Sequence, residues 1–378
     1  MTGERHAEVA GAGFAGLTVA TALARNGWSV RVHEKSETLR DFGAGILIWR
    51  NAMISLEMIG VADRIEAEGL RPRTYDTDLN GVRVSRELEG FPYFAIPRPR
   101  LHTLLVEAAR AAGVELVTSS EVVAAKAEGA LVLADGSEVT ADLVIGADGA
   151  GSAVRNSLPA FLQSRQKYLD GVARVLVPRP ETFRGAEWDR VIDYWTLEPD
   201  AMRILFIPCT EELLYMGLMA ETKNMRASAL PIDAEVWSER FPHLREPIEL
   251  AARAEGSRHD SYQTNRVSTW SHGRVAIVGD AAHAMCPALG QGASVGIVNA
   301  VELALTLADG GDLTAALESW ESAQRAVTDA AQRISGEMAA TRNMAKGGGF
   351  APEVLEIARY RSPSIPAEIE DRFPLSAV

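Results

Sequence analysis

The chain has 378 residues, 47% of them hydrophobic and 24% charged, which suits a globular protein of two intertwined domains. Its 38 basic and 51 acidic residues give a net charge of −13, which argues against nucleic acid or an anionic membrane as main partner but leaves room for a locally basic pocket. The two cysteines, Cys209 and Cys286, lie far apart and outside any metal spacing, so neither a disulfide framework nor a metal site is expected, and a reducing cytoplasm suits the composition.

No signal peptide is expected at the charged N-terminus, and the most apolar stretch, from Val275, is broken by Asp280 and His283, so no membrane span is expected. The first informative run is Val9-Ala10-Gly11-Ala12-Gly13-Phe14-Ala15-Gly16-Leu17, a glycine turn between an apolar run and a helical one. Gly11 allows the bend, Gly13 lets backbone approach a phosphate, and Gly16 lets helix pack on strand. A helix over Thr18 to Arg25 and a strand over Trp28 to His33 complete a βαβ unit. Glu34 stands at the spacing expected of a ribose-binding acid. The alternative is a plain glycine turn with a surface glutamate. One feature is untidy: Ala7-Glu8-Val9-Ala10 is too polar for a buried strand.

Phe42-Gly43-Ala44-Gly45-Ile46 suggests backbone approaching something flat, or an ordinary tight turn. Met53, Leu56 and Ile59 have helical spacing before Gly60. Leu70 to Phe94 reads as a hairpin leaving the nucleotide domain, and Arg98 to Gly113 as a helix on the return. The apolar strand before Ala147-Asp148-Gly149 delivers Asp148 where open α/β sheets bind ligands. There it can bond a polyol or cap the following helix.

Val172 to about Asn265 alternates in short strands, a mixed or antiparallel sheet with helices at its edge. Trp188, Trp195 and Trp237 are expected to be packing residues. A buried strand then ends in Gly279-Asp280, and the loop Pro287 to Gly292 opens a long helix from Ala293. Its first N–H groups could face an anionic ring edge. Leu313 to Ala345 is helical, and a proline-bearing tail wraps the surface.

Three separated stretches now stand in order: Gly11 to Gly16, Ala147-Asp148-Gly149, and Gly279-Asp280 with Pro287 to Gly292. This set resembles the single-component flavin aromatic hydroxylases related to para-hydroxybenzoate hydroxylase. The resemblance implies an α/β fold, with a Rossmann-type FAD-binding domain (1–70, 97–171 and 266–345) interleaved with a mixed β-sheet substrate domain (71–96 and 172–265), C-terminal helices and a tail (346–378). It implies FAD held by Gly11, Gly13, Phe14, Ala15, Gly16, Glu34, Lys35, Arg98, Asp148, Asp280, Pro287, Gly290, Gly292 and Ala293. It also implies NADH or NADPH and O2 as co-substrates. Further runs, His33-Glu34-Lys35-Ser36, Gly217-Leu218-Met219-Ala220 and Gly279 through Leu289, look like the pyridine-ring-opening branch acting on 3-hydroxypyridine carboxylates. By that resemblance Arg174 and Arg203 face a carboxylate, and Tyr75, Tyr215 and Tyr262 line the pocket. Leu47 stands where the branch can carry tyrosine, which puts the ring substituents in doubt. Tyr215 and Arg203 are expected at the reaction centre.

On the residues alone, Arg203 lies among apolar neighbours and needs a partner, and a structural salt bridge with Asp193 or Glu198 is the competing expectation. His283 is read as structural. Ring hydroxylation without opening, and a non-catalytic flavin redox sensor, remain the alternatives. The oligomeric state is open.

Overall fold

The computed structural model describes residues 5–39, 43–87, 93–161, 163–341, 352–360 and 364–374. A six-stranded sheet runs in the order Ser271–His272, Val275–Ile277, Leu143–Gly146, His6–Ala10, Ser29–His33, Glu115–Val117. All neighbours are parallel except the first pair. The parallel strands align their carboxyl ends, so the Gly11 turn, Glu34, Asp148 and Asp280 emerge along one edge. Helix Phe14–Arg25 packs against helix Gly292–Thr306 beside it.

The polar residue in the first strand has a physical reason. Glu8 is buried, but its carboxylate pairs with His33 (2.8 Å), His6 (2.9 Å) and Arg31 (3.2 Å) from its own and the next strand. Burial opposes that charge, yet the hydrogen bonds from His33 and His6 outweigh it and hold the Glu8 pKa below its usual value.

A seven-stranded sheet runs Arg258–Val267, Gln163–Pro178, Leu213–Glu221, Met202–Pro208, Val191–Thr196, Thr74–Leu79, Val82–Glu87. It is antiparallel except where Val191–Thr196 lies parallel to Thr74–Leu79. The strand expected from Val172 begins at Gln163, and strand Arg258–Val267, which carries Tyr262, lacked the apolar alternation that would announce it. Ala173, Val175, Ile204, Phe206, Leu214, Met216 and Leu218 form one face and pack against Trp237 and Ile248 of the flanking helices. The period of two sends the intervening residues to the other face.

A two-stranded ribbon, Gly45–Trp49 with Tyr93–Pro97, lies against that second face. Gly45 is a strand residue, and a Cβ on it would fall 2.4 Å from both Cys209 Sγ and Tyr215 Cβ. The close approach at this glycine is to Cys209 and to the root of the Tyr215 side chain. Helix Arg50–Met58 buries Met53 and Leu56, and Gly60, at φ +75°, ends the turn after it. Helix Leu313–Thr341 runs to the edge of the described residues, so its expected end at Ala345 and the glycine run beyond lie outside them. The tail is tied down through buried Arg50, whose Nε donates to the Phe373 carbonyl at 2.5 Å and whose Nη2 meets Glu370 at 3.2 Å. No helix among the described residues is long and apolar enough to cross a membrane.

Candidate active site

The glycine turn divides its labour by space. At Gly11 (φ +99°) a Cβ would fall 2.6 Å from the Ala147 carbonyl oxygen, and at Gly16 it would fall 2.0 Å from that of Gly11. At Gly13 nothing lies within 4 Å. Two glycines therefore permit packing, while the exposed third leaves backbone open at the start of helix Phe14–Arg25. Gly279 (φ +59°) carries the same restriction, since its Cβ would sit 2.7 Å from that of Ala15. The first and third motifs are thereby locked together.

Glu34 accepts hydrogen bonds from the Ala12 N–H (3.0 Å) and the Ser36 N–H (2.9 Å). Burial opposes its charge, but these donors hold its pKa below the ordinary value, with a smaller contribution from exposed Lys35. Of the two roles the sequence allowed Asp148, the structure shows the helix cap. Its Oδ2 caps helix Ala153–Ser157 through the N–H groups of Ala153 (2.6 Å) and Val154 (3.1 Å), while its buried Oδ1 has no partner among the described residues. Asp280 is reached by water yet crowded by protein, as on the floor of a cleft. The crowding raises its carboxyl pKa, and Arg98 and Arg174 oppose the rise. The Arg98 guanidinium lies 4.6 Å from the centroid of Phe14. Pro287–Leu289 forms one 3-10 turn, Gly290 takes φ +69°, and partly buried Gly292 and Ala293 start the next helix. An open glycine backbone, an unfilled acceptor beside it and two acids at the sheet edge fit a dinucleotide flavin.

The second face of the larger sheet carries the remaining candidates. Arg203 and Asp193 form a buried two-point pair, Nε to Oδ1 at 2.5 Å and Nη2 to Oδ2 at 3.0 Å. Asp193, not Glu198, is the partner. Tyr75 donates its hydroxyl to Asp193 Oδ2 (3.3 Å), the third Arg203 nitrogen, Nη1, meets Met219 Sδ (3.3 Å), and the guanidinium lies 4.9 Å from the Trp195 ring centroid. Burial works against the Arg203 charge, and Asp193 more than compensates, so its pKa rises. Arg174 is paired with Asp260 and hydrogen-bonded to Tyr215. Burial raises the pKa of Tyr75, Tyr215 and Tyr262, most simply keeping each phenol protonated. Room for Tyr215 comes from Gly217 opposite Arg174, where a Cβ would lie 2.9 Å from the phenolic oxygen. Leu47 lies in the ribbon and packs in the cluster of Tyr75 and Tyr215.

A narrow cavity of some 20 Å³ is lined by Arg203, Tyr262, Trp195, Met219, Asp170 and Ala288, with Met338 and Ala339 of the long helix also on its lining. The structure therefore groups Tyr75 with Arg203, Arg174 with Tyr215, and Tyr262 with the Arg203 cavity. All three tryptophans pack as expected, Trp237 and Trp188 in the core beneath the sheet and Trp195 in the cluster on its other face, where it also lines the cavity. Its position two residues after Asp193 on one strand was the available signal. Asp260 was missed with its strand, and nothing in the sequence linked Met338 or Ala339 to this place. His283 is buried, bonds Asn299 (3.0 Å) and packs on Trp270, and burial pushes its pKa down to about 4.

The FAD binding domain family matches residues 5–335. A solved tetrameric form of 2-methyl-3-hydroxypyridine-5-carboxylic acid oxygenase is 45% identical with a TM-score of 0.92, covering 98% of this chain and 100% of that one. The 2-heptyl-3-hydroxy-4(1H)-quinolone synthase of Mycobacteroides abscessus is 37% identical over 365 residues, 93% of this chain and 92% of its own. The 6-hydroxynicotinate 3-monooxygenase of Pseudomonas fluorescens is 30% identical over 353 residues, 86% of this chain and 89% of its own. The paired acids and glycine turn at the sheet edge, the arginine–tyrosine face above them and these likenesses agree: the chain belongs to the FAD binding domain family and is a flavin-dependent monooxygenase of the aromatic-hydroxylase kind.

Proposed function

We propose that this monooxygenase uses FAD and NADH or NADPH to hydroxylate a 3-hydroxypyridine carboxylate and then opens its ring. The observation that carries this reading is the single sheet face that holds Arg174, Arg203, Tyr215 and Tyr262, with Arg203 and Tyr262 lining a cavity and Arg174 facing Asp280 of the flavin edge. The 45% identity to an oxygenase of a pyridine acid supports the substrate class.

Flavin, when bound, activates oxygen; the protein positions the ring and keeps water away. Tyr215, held by Arg174 and kept protonated by burial, donates a hydrogen bond that orients the ring hydroxyl. Glu34 holds the adenosine ribose, Asp280 the ribitol, Asp148 a further cofactor hydroxyl, and the N–H groups of Gly292 and Ala293 the flavin ring edge. The flavin-binding domain comprises 1–70, 97–171 and 266–345, and the substrate domain 71–96 and 172–265.

One observation favours a second reading, hydroxylation of a neutral N-heteroaromatic ring without opening. Arg174 and Arg203 each already face a carboxylate, and Asp170 also lines the cavity, so an anionic ring would meet arginines that are already paired. Adding 2-methyl-3-hydroxypyridine-5-carboxylate, 6-hydroxynicotinate or a 4-quinolone to the holoenzyme separates the two. Acceleration of NADH oxidation by the first, with a product heavier by oxygen and water, supports ring opening; a gain of oxygen alone supports the second reading. No acceleration by any ring acid rejects the proposal.

A further inference from the structure

We propose that Trp195 is a substrate-recognition residue whose indole N–H donates to an oxygen acceptor on the bound ring; this rests on the aromatic-hydroxylation reading of the cavity. Trp195 lies on strand Val191–Thr196, is 7% exposed, and shares the cavity wall with Arg203, Met219 and Tyr262. One ring face is taken by the Arg203 guanidinium at 4.9 Å. That contact, with Asp193 anchoring Arg203, fixes the indole plane. Its Nε1 is buried and has no hydrogen-bond partner among the described residues, and the same holds for the Tyr262 hydroxyl across the same cavity. By contrast, Trp49 and Trp320 give their N–H groups to the carbonyls of Gly290 (3.1 Å) and Asn299 (3.0 Å). Trp237 also leaves its N–H unpaired, but within the apolar core beneath the sheet.

Leaving a buried donor unmatched is costly, and two such donors belong to residues that line this cavity; acceptor atoms on a bound ring would match them. Both arginines are matched by Asp193 and Asp260, so neutral donors carry the discrimination. The ligand class is a planar N-heteroaromatic ring with at least two oxygen acceptors, from a carbonyl, a phenolic oxygen or a carboxylate.

The test compares wild-type and Trp195→Phe holoenzyme; phenylalanine keeps an aromatic face for Arg203 but removes the N–H together with part of the indole ring, so a labelled-indole readout accompanies it. Binding of 2-methyl-3-hydroxypyridine-5-carboxylate, 6-hydroxynicotinate and a 4-quinolone is read from flavin absorbance changes, which need no turnover. Affinity should fall roughly ten-fold for a probe that binds the wild type, with kcat changed much less. Equal affinity in both proteins, or no binding of any probe to the wild type, overturns the inference. A probe that binds but takes no oxygen overturns the hydroxylation reading alone and leaves the Trp195 comparison valid. Should Trp195→Phe fail to fold, wild-type holoenzyme labelled with 15N-tryptophan decides: one indole N–H resonance must move on ligand binding, and an unmoved set overturns the inference.

Discussion

Arg203 and Asp193 meet edge to edge on the cavity side of the seven-stranded sheet, both nearly excluded from water, with Tyr75 bonded to the same carboxylate. Removing the acid leaves a buried cation uncompensated. Asp193→Asn should therefore destabilise the protein by about 3–5 kcal/mol, read by urea denaturation. The same change makes the cavity more positive. In the folded fraction the ratio of affinities for an anionic over a neutral ring should rise; an unchanged ratio would show that Arg203 does not sense ligand charge. Replacing both residues by apolar ones of similar volume should recover much of the stability.

The glycine turn separates folding from cofactor binding. Gly13 has open space where a Cβ would go, so Gly13→Ala should leave apoprotein stability nearly unchanged while flavin retention on gel filtration falls. Gly16→Ala meets the Gly11 carbonyl at 2.0 Å and should cost about 3 kcal/mol or more, with flavin lost as a consequence. Equal effects of the two substitutions on stability would contradict this division.

His283 should make the protein acid-sensitive. Burial lowers its folded pKa from 6.5 to about 4, so the unfolded chain binds the proton first as pH falls. The contribution is complete above the unfolded value and is lost progressively between pH 6.5 and 4, a total on the order of 3 kcal/mol. Urea denaturation at intervals across that window should show a flatter dependence in His283→Gln than in the wild type.

Gly217 makes room for Tyr215, the residue proposed to orient the substrate. A methyl group there would lie 2.9 Å from the Tyr215 hydroxyl oxygen and push it away from Arg174. Gly217→Ala should lower substrate-stimulated NADH oxidation roughly ten- to a hundred-fold while flavin content stays at the wild-type level. Loss of flavin in parallel with activity would place the defect in the fold instead.

Local chemistry was readable wherever a residue's role follows from its neighbours in the chain. The Gly11 turn, the helix after it, Glu34, and the strand ends at Asp148 and Asp280 depend on backbone sterics and on strands buried on both faces. The four strands between Val172 and Met219 announced themselves because one face is apolar and the period is two. Strand Arg258–Val267 did not, since Arg258, His259, Asp260 and Gln263 carry polar groups on both faces.

By itself, then, the sequence determined a flavin-type sheet edge and a strand-rich partner layer, and its family resemblance singled out a set of arginines and tyrosines. Only tertiary structure decided what those side chains meet. Asp193 takes Arg203 and Asp260 takes Arg174, because strand order and register bring those acids into reach. It also gave the packed Trp195 a place on the cavity lining and brought Met338 and Ala339 to the same space from far along the chain. Pairing across a sheet depends on which strands become neighbours, and no local pattern of residues encodes that choice.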